Sequence, residues 1–168
     1  MAATVQINER NGAPAGTLTT NISNTNMGST DAANLDPVAN PVVPGENTFE
    51  KWQQIAVTAM GGSSRIDNLK VWRTGSLGGS AVDLTNARTA SYGGAATYAQ
   101  PTASASSIAT QTMPSSEPGG ANLGIGGSLT GELTTAGLSD YLVHQIQTDA
   151  GDTAGSTTTM NYQYDETA

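Results

Sequence analysis

His144 is the only histidine in this chain, and there is no cysteine. Without thiols, a disulfide framework, a thiolate zinc site and a cysteine nucleophile are excluded. His144 lies mid-way along Asp140–Thr148, between Leu142 and Ile146, where an aliphatic residue would fit equally well. One imidazole with no second histidine or cysteine near it makes a poor zinc site. It is also a base with no serine in a nucleophile-elbow setting to act upon. The residue types assign it to a core or an interface.

Three other patterns invite chemistry and fail on spacing. Gly119–Gly131 is glycine-rich, but no G-x-x-x-x-G-K-[ST] is present, and Leu129 stands where a G-x-G-x-x-G from Gly124 needs its last glycine. These glycines read as strand kinks and tight turns. Asp149-Ala-Gly-Asp152 offers two carboxylates to a hard cation, but lacks the remaining acidic positions of a calcium loop and reads as a solvated turn. Carboxylate pairs for glycoside hydrolysis are recognised by their separation in space, and nothing in the sequence singles one out. Trp52, Trp72, Tyr92, Tyr98, Tyr162 and Tyr164 could stack a sugar, yet with only 5% aromatic residues most are needed in a core or subunit interface. No catalytic, cofactor-binding or metal-ligating residue is assigned, and no cofactor is expected. The chain does not read as an enzyme.

The scaffold has 168 residues, which suits one domain with a sizeable core and no metal or disulfide staple. Its net charge is −8, carried by only 12% charged residues. After Arg88 every charged residue is acidic, and no basic run occurs. Nucleic acid, which selects a basic face, and anionic membrane are therefore not expected partners. No stretch reaches the length of an apolar membrane span, and the first residues lack the basic start and apolar centre of a secretory signal. Synthesis in a cytoplasm without export is expected, and the Asn21-Ile22-Ser23 sequon then has no use.

Helical periodicity is interrupted by Gly or Pro in almost every window, whereas period two recurs. Strands are expected over Thr4–Glu9 and Thr17–Ser23. A loop of roughly twenty residues follows, with Asp36-Pro37, Asn40-Pro41 and Pro44-Gly45, and suggests an extended arm lying here or on a neighbour. Thr48–Met60 and Arg65–Arg73, joined by Gly61-Gly62-Ser63-Ser64, read as an antiparallel hairpin. In the second strand Leu69 and Val71 take one face, and Ile66, Lys70 and Trp72 the other. Ala81–Leu84 reads as a short edge strand, Ser91–Tyr98 and Ser104–Thr112 as small-residue stretches around Pro101, and Leu123–Leu133 as a glycine-interrupted strand. In Asp140–Thr148, Leu142, His144 and Ile146 oppose Tyr141, Val143 and Gln145. In Thr157–Asp165, Met160, Tyr162 and Tyr164 oppose Thr159, Asn161 and Gln163. The expected fold is all-β, an antiparallel β-sandwich, jelly-roll-like, with an extended N-terminal arm. Residues 1–46 form the first strands and arm and 47–168 the sandwich, in a single domain overall.

From about Glu46 to Glu166 the chain resembles a family of tailed-phage virion proteins, the jelly-roll decoration or cement proteins of the head. The matching pieces are Asn47–Trp52, Ile66–Trp72, Tyr92–Tyr98, Pro118–Leu129, Ser139–Gln147 and the closing Tyr162–Glu166. Members of that family usually carry an aliphatic residue where His144 sits. The resemblance implies a bacteriophage structural protein on the capsid exterior, bound to the major capsid protein, often as a homotrimer, and brings no catalytic motif. Other expectations for such a sandwich are a tail, baseplate or head-fibre module, or a carbohydrate-binding adhesin.

Overall fold

The alternation of apolar and polar side chains resolves into nine strands and no helix in the computed structural model, which describes residues 1–12, 15–89, 91–92 and 111–168. They are β1 (Thr4–Asn11), β2 (Thr17–Thr19), β3 (Lys51–Ala59), β4 (Arg65–Thr74), β5 (Val82–Thr89), β6 (Gln111–Thr112), β7 (Gly137–Leu138), β8 (Tyr141–Gln147) and β9 (Thr159–Thr167). The stretches expected around Tyr98 and Pro101 lie outside the described residues.

Seven strands form one sheet in the order β2-β1-β3-β8-β5-β6, with β7 also on β3. β4 and β9 form a two-stranded ribbon, and the strand pairings among the described residues are antiparallel. The ribbon covers one face of the large sheet. Ile55 and Val57 of β3 and Leu142 of β8 share a buried cluster with Ile66, Leu69 and Val71 of β4, and Met160, Tyr162 and Tyr164 of β9 pack against it. An all-β antiparallel sandwich is therefore the fold.

Three expectations change. β3 and β4 are not a hairpin: β1 takes one edge of β3 while β7 and β8 take the other, so the chain after Gly61-Gly62 crosses to the second layer. Ile66 joins Leu69 and Val71 in the core because the ladder shifts register between Asp67 and Lys70. Asn68 makes that bulge with φ of 49°, a left-handed conformation that asparagine tolerates, and its amide donates to Asp165 Oδ2 at 2.8 Å. β5 is longer than expected and interior, between β8 and β6, whereas Leu123–Leu133 makes isolated bridges in place of a strand.

β7 and β8 are two halves of one run along the same edge of β3. The partners are Val57 with Gly137 and Ala56 with Leu138, then Gln53 with Leu142 after a one-residue slip. Ser139 fills the slip. Its N–H donates to Ile55 O, and its Oγ accepts the Ile55 N–H, both at 2.9 Å. A side-chain oxygen thus stands in for the missing ladder acceptor.

Residues 1–46 are woven into the same body. β1 lies between β2 and β3 in the large sheet. The Pro-rich segment after it is tied down at several points, with Phe49 N donating to Gly28 O at 3.1 Å and Thr48 N to Ile146 O at 3.0 Å. Leu35 is buried beneath it.

The Ser139 substitution yields a specific expectation. Ser139→Ala leaves the buried Ile55 N–H without its acceptor and should cost about 1–3 kcal/mol. Urea unfolding should report a lower midpoint with an unchanged slope.

Candidate functional site

Along the inner face of the large sheet the side chains turn from apolar to polar. On β1 the order is Val5, Ile7, Glu9, Asn11, and on β3 the facing residues are Val57, Ile55, Gln53, Lys51. The next strands continue the polar end, with His144 opposite Lys51 on one side and Thr85 on the other. This region carries the densest set of buried ionisable groups among the described residues.

Glu9 is its hub, with no exposed surface. Its Oε1 accepts from Lys51 Nζ at 2.9 Å and from Asn11 Nδ2 at 3.0 Å, and its Oε2 from Gln53 Nε2 at 2.8 Å. Burying a carboxylate is costly unless donors surround it, and here three do. Lys51 also donates to Ala32 O at 2.5 Å, and Asn11 to Asp31 Oδ1 at 2.9 Å. Gly12 N donates to Asp31 Oδ2 at 2.8 Å. Burial raises the Asp31 carboxyl above its usual range despite these donors.

Gln53 passes the polarity on. Because its amide N–H donates to Glu9, its Oε1 is the acceptor, and it takes the Tyr162 hydroxyl at 2.6 Å. Burial, followed by the charges of Glu9 and Asp83, pushes the Tyr162 hydroxyl far above its ordinary value. His144 Nε2 lies 3.3 Å from the same Gln53 Oε1, and its Nδ1 lies 3.4 Å from Asp83 Oδ1. Both ring nitrogens face acceptors. A neutral imidazole satisfies one of them and an imidazolium both.

His144 is buried, as expected of a core residue, but its surroundings are not those of an aliphatic side chain. With Asp83 it forms the floor of a cavity of about 520 Å³. That cavity opens between Thr25–Met27, Pro37, Val38, Pro41 and Val42 of the Pro-rich segment and residues 154–158.

No protein-family model, curated protein or solved structure matches this chain.

The other sequence candidates resolve into structural roles. Asp152 Oδ1 accepts from Ser80 N at 2.6 Å and its Oδ2 from Asp149 N at 2.8 Å. The Asp149 N–H, with those of Ser80 and Ala81, holds the Asp152 carboxyl below its usual range. The pair locks a turn, and among the described residues no group of three or more His, Asp or Glu converges on a metal position. In the glycine-rich stretch, Gly127 N donates to the Asp140 carboxylate at 3.0 Å, and a Cβ on Gly124 would meet Asp140 Oδ2 at 2.3 Å. A side chain at Gly124 would have to displace the Asp140 carboxylate from this bond.

The aromatic residues do not assemble as one surface. Trp52, only 4% exposed, meets Tyr92 and Tyr141 edge-on at centroid distances of 5.1 and 5.8 Å on the outer face of the large sheet. Arg10 lies over the Tyr92 ring and donates to Tyr141 Oη at 3.1 Å. Tyr162 and Tyr164 pack on the inner core, Trp72 is half-buried on the ribbon, and Tyr98 lies outside the described residues. Glu9, Lys51, Gln53 and Asp83 were not singled out by the sequence reading. Their signal is a polar residue sitting in phase with an apolar alternation, as Glu9 does after Val5 and Ile7.

Beside the aromatic trio, the Glu50 carboxyl accepts from Trp52 Nε1 at 3.2 Å. Burial, reinforced by the Asp31 charge, pushes it from the ordinary 4.5 up to about 7. The folded state therefore holds this proton where the unfolded state releases it. Its favourable contribution is complete below pH 4.5 and is lost as pH rises through about 7. Glu50→Gln should remove that slope: the wild type should lose stability relative to the variant between those two pH values. Denaturant titrations of both proteins across the window check it.

Proposed function

We propose that the chain is a structural virion protein that binds the outer surface of a tailed-phage capsid lattice and stabilises it, as a homotrimer and without catalysing a reaction. The major capsid protein is its partner, and the capsid exterior is where it acts. Binding only the assembled lattice stabilises that state by mass action, and several contacts per oligomer multiply the effect.

The resemblance to decoration proteins supports this reading through the work its segments do in the fold. Asn47 Oδ1 accepts from Thr148 N at 3.2 Å, where the chain enters β3. Ile66–Trp72 contains the Asn68 bulge, and Ser139–Gln147 contains the Ser139 slip. Asn122 exchanges hydrogen bonds with the Val71 backbone at 2.8 and 2.7 Å. These are the residues on which the sandwich depends, so likeness in them is likeness of fold. β8 also lies between the earlier strands β3 and β5, followed by β6, an interleaving in keeping with the Greek keys of a jelly roll.

One observation carries the reading furthest. The Pro-rich segment is pinned from inside at Asp31 and Ala32 by buried polar groups, while Val38 is 87% exposed and Val43 46%. A segment tied to the sheet in this way, with exposed apolar side chains, suits contact with another protein surface. Deleting residues 1–46 is a poor test, because it removes β1 and Glu9 with the segment.

Purified protein mixed with empty expanded capsids and pelleted should sediment saturably, at a ratio set by lattice symmetry. Val38→Asp with Val43→Asp should weaken that binding by about tenfold or more while leaving the unfolding midpoint unchanged, as expected for apolar contact residues. A folded oligomer that stays in the supernatant would contradict capsid binding. Copurification with tails alone would make it a tail or baseplate part.

A further inference from the structure

The cavity beneath the Pro-rich segment has apolar walls, including Met27, Val42, Leu77, Ile146 and Met160. Its floor is polar. Asp83 and His144 are 3% and 1% exposed. His144 turns its two nitrogens to Asp83 and Gln53. Asp83 differs, because His144 meets its carboxylate only at Oδ1, at 3.4 Å, and leaves Oδ2 to the cavity.

A carboxylate oxygen that faces a largely apolar chamber favours a charged donor. An anion is repelled there, and a purely apolar group leaves the oxygen unsatisfied. A cation on an aliphatic stem meets both requirements, since its stem lies on the walls and its head reaches the floor.

We propose that this cavity receives a lysine side chain from a partner chain, its stem along Ile146 and Met160 and its ammonium on Asp83. The inference rests on the reading of the protein as a binder of another virion protein, and it names the chemistry of one contact. The partner is not a second copy of this chain. Its two lysines are already engaged: Lys51 is buried against Glu9, and Lys70 is bonded to Glu117 at 2.8 Å. A net charge of −8 draws a basic segment toward the surface. The cavity, at about 520 Å³, has the size of a ligand pocket and leaves room for residues flanking the lysine.

The test is an NMR titration of the full chain with N-acetyl-lysine methylamide, its norleucine counterpart, and butylamine. The lysine compound should saturably shift the amide signals of Asp83, His144 and Ile146. It should bind about tenfold more tightly than the norleucine compound, the increment of one charge-assisted hydrogen bond. Asp83→Asn should abolish the difference. Ala154→Trp, which fills the cavity from the loop without touching Asp83, should block both compounds and serves if the first variant does not fold. Equal binding of the two compounds, shifts confined to other residues, or no shift at tens of millimolar would overturn the proposal. So would binding of butylamine with exclusion of the lysine compound, which would make the site one for a free amine. If the lysine compound does not bind while the protein still sediments with capsids, this inference falls and the capsid reading stands. If it binds and capsids do not, the site stands and the capsid role falls.

Discussion

A single buried negative charge, the Glu9 carboxylate, is the constraint on which the rest of the molecule depends. Removed from water, it is tolerable only because Lys51, Asn11 and Gln53 all donate to it. Each donor then has a second task. Lys51 and Asn11 reach outward to Ala32 and Asp31, so the same charge holds the Pro-rich segment against the sheet. Gln53, its amide oriented by Glu9, offers its oxygen to Tyr162 of the ribbon and to His144. Large sheet, ribbon and segment all meet at this charge.

That arrangement bears on function. Glu9, Lys51, Gln53 and Tyr162 are bonded to one another within the fold. What the molecule directs outward is different in kind: two exposed valines on the Pro-rich segment and a largely apolar chamber with the Asp83 carboxylate at its floor. On the proposed reading, these are the features that would meet another surface. A pinned segment also loses little conformational freedom when it meets a partner, which favours binding without new ordering cost.

The sequence carried the faces of the strands well. Leu142, His144 and Ile146 were read on one side of β8, and Met160, Tyr162 and Tyr164 on one side of β9, as the core contacts have them. Period two reports the side on which a residue lies, and not which strand lies beside it. β4 was accordingly paired with β3, its neighbour in sequence, when its partner β9 comes from the far end of the chain. One residue in the left-handed region, Asn68, was enough to reverse the parity of Ile66. The buried polar row was illegible for a related reason. Gln53 and Glu9 are 44 positions apart, and His144 and Gln53 are 91. A lone glutamate or histidine declares its role only when folding supplies the donor or acceptor opposite it.

The most direct measurement is native-state hydrogen exchange on Glu9→Gln beside the wild type. Exchange reads local opening element by element, so it separates loss of the segment from loss of the whole fold. With the charge removed and Lys51 left uncompensated, the amides of Ser29 and Asn40, which close turns within the segment, should exchange faster by about tenfold or more. Those in the β4–β9 ribbon should change far less. Segment amides that exchange no faster than in the wild type would contradict the account, because the Pro-rich segment would then be held by something other than the buried charge.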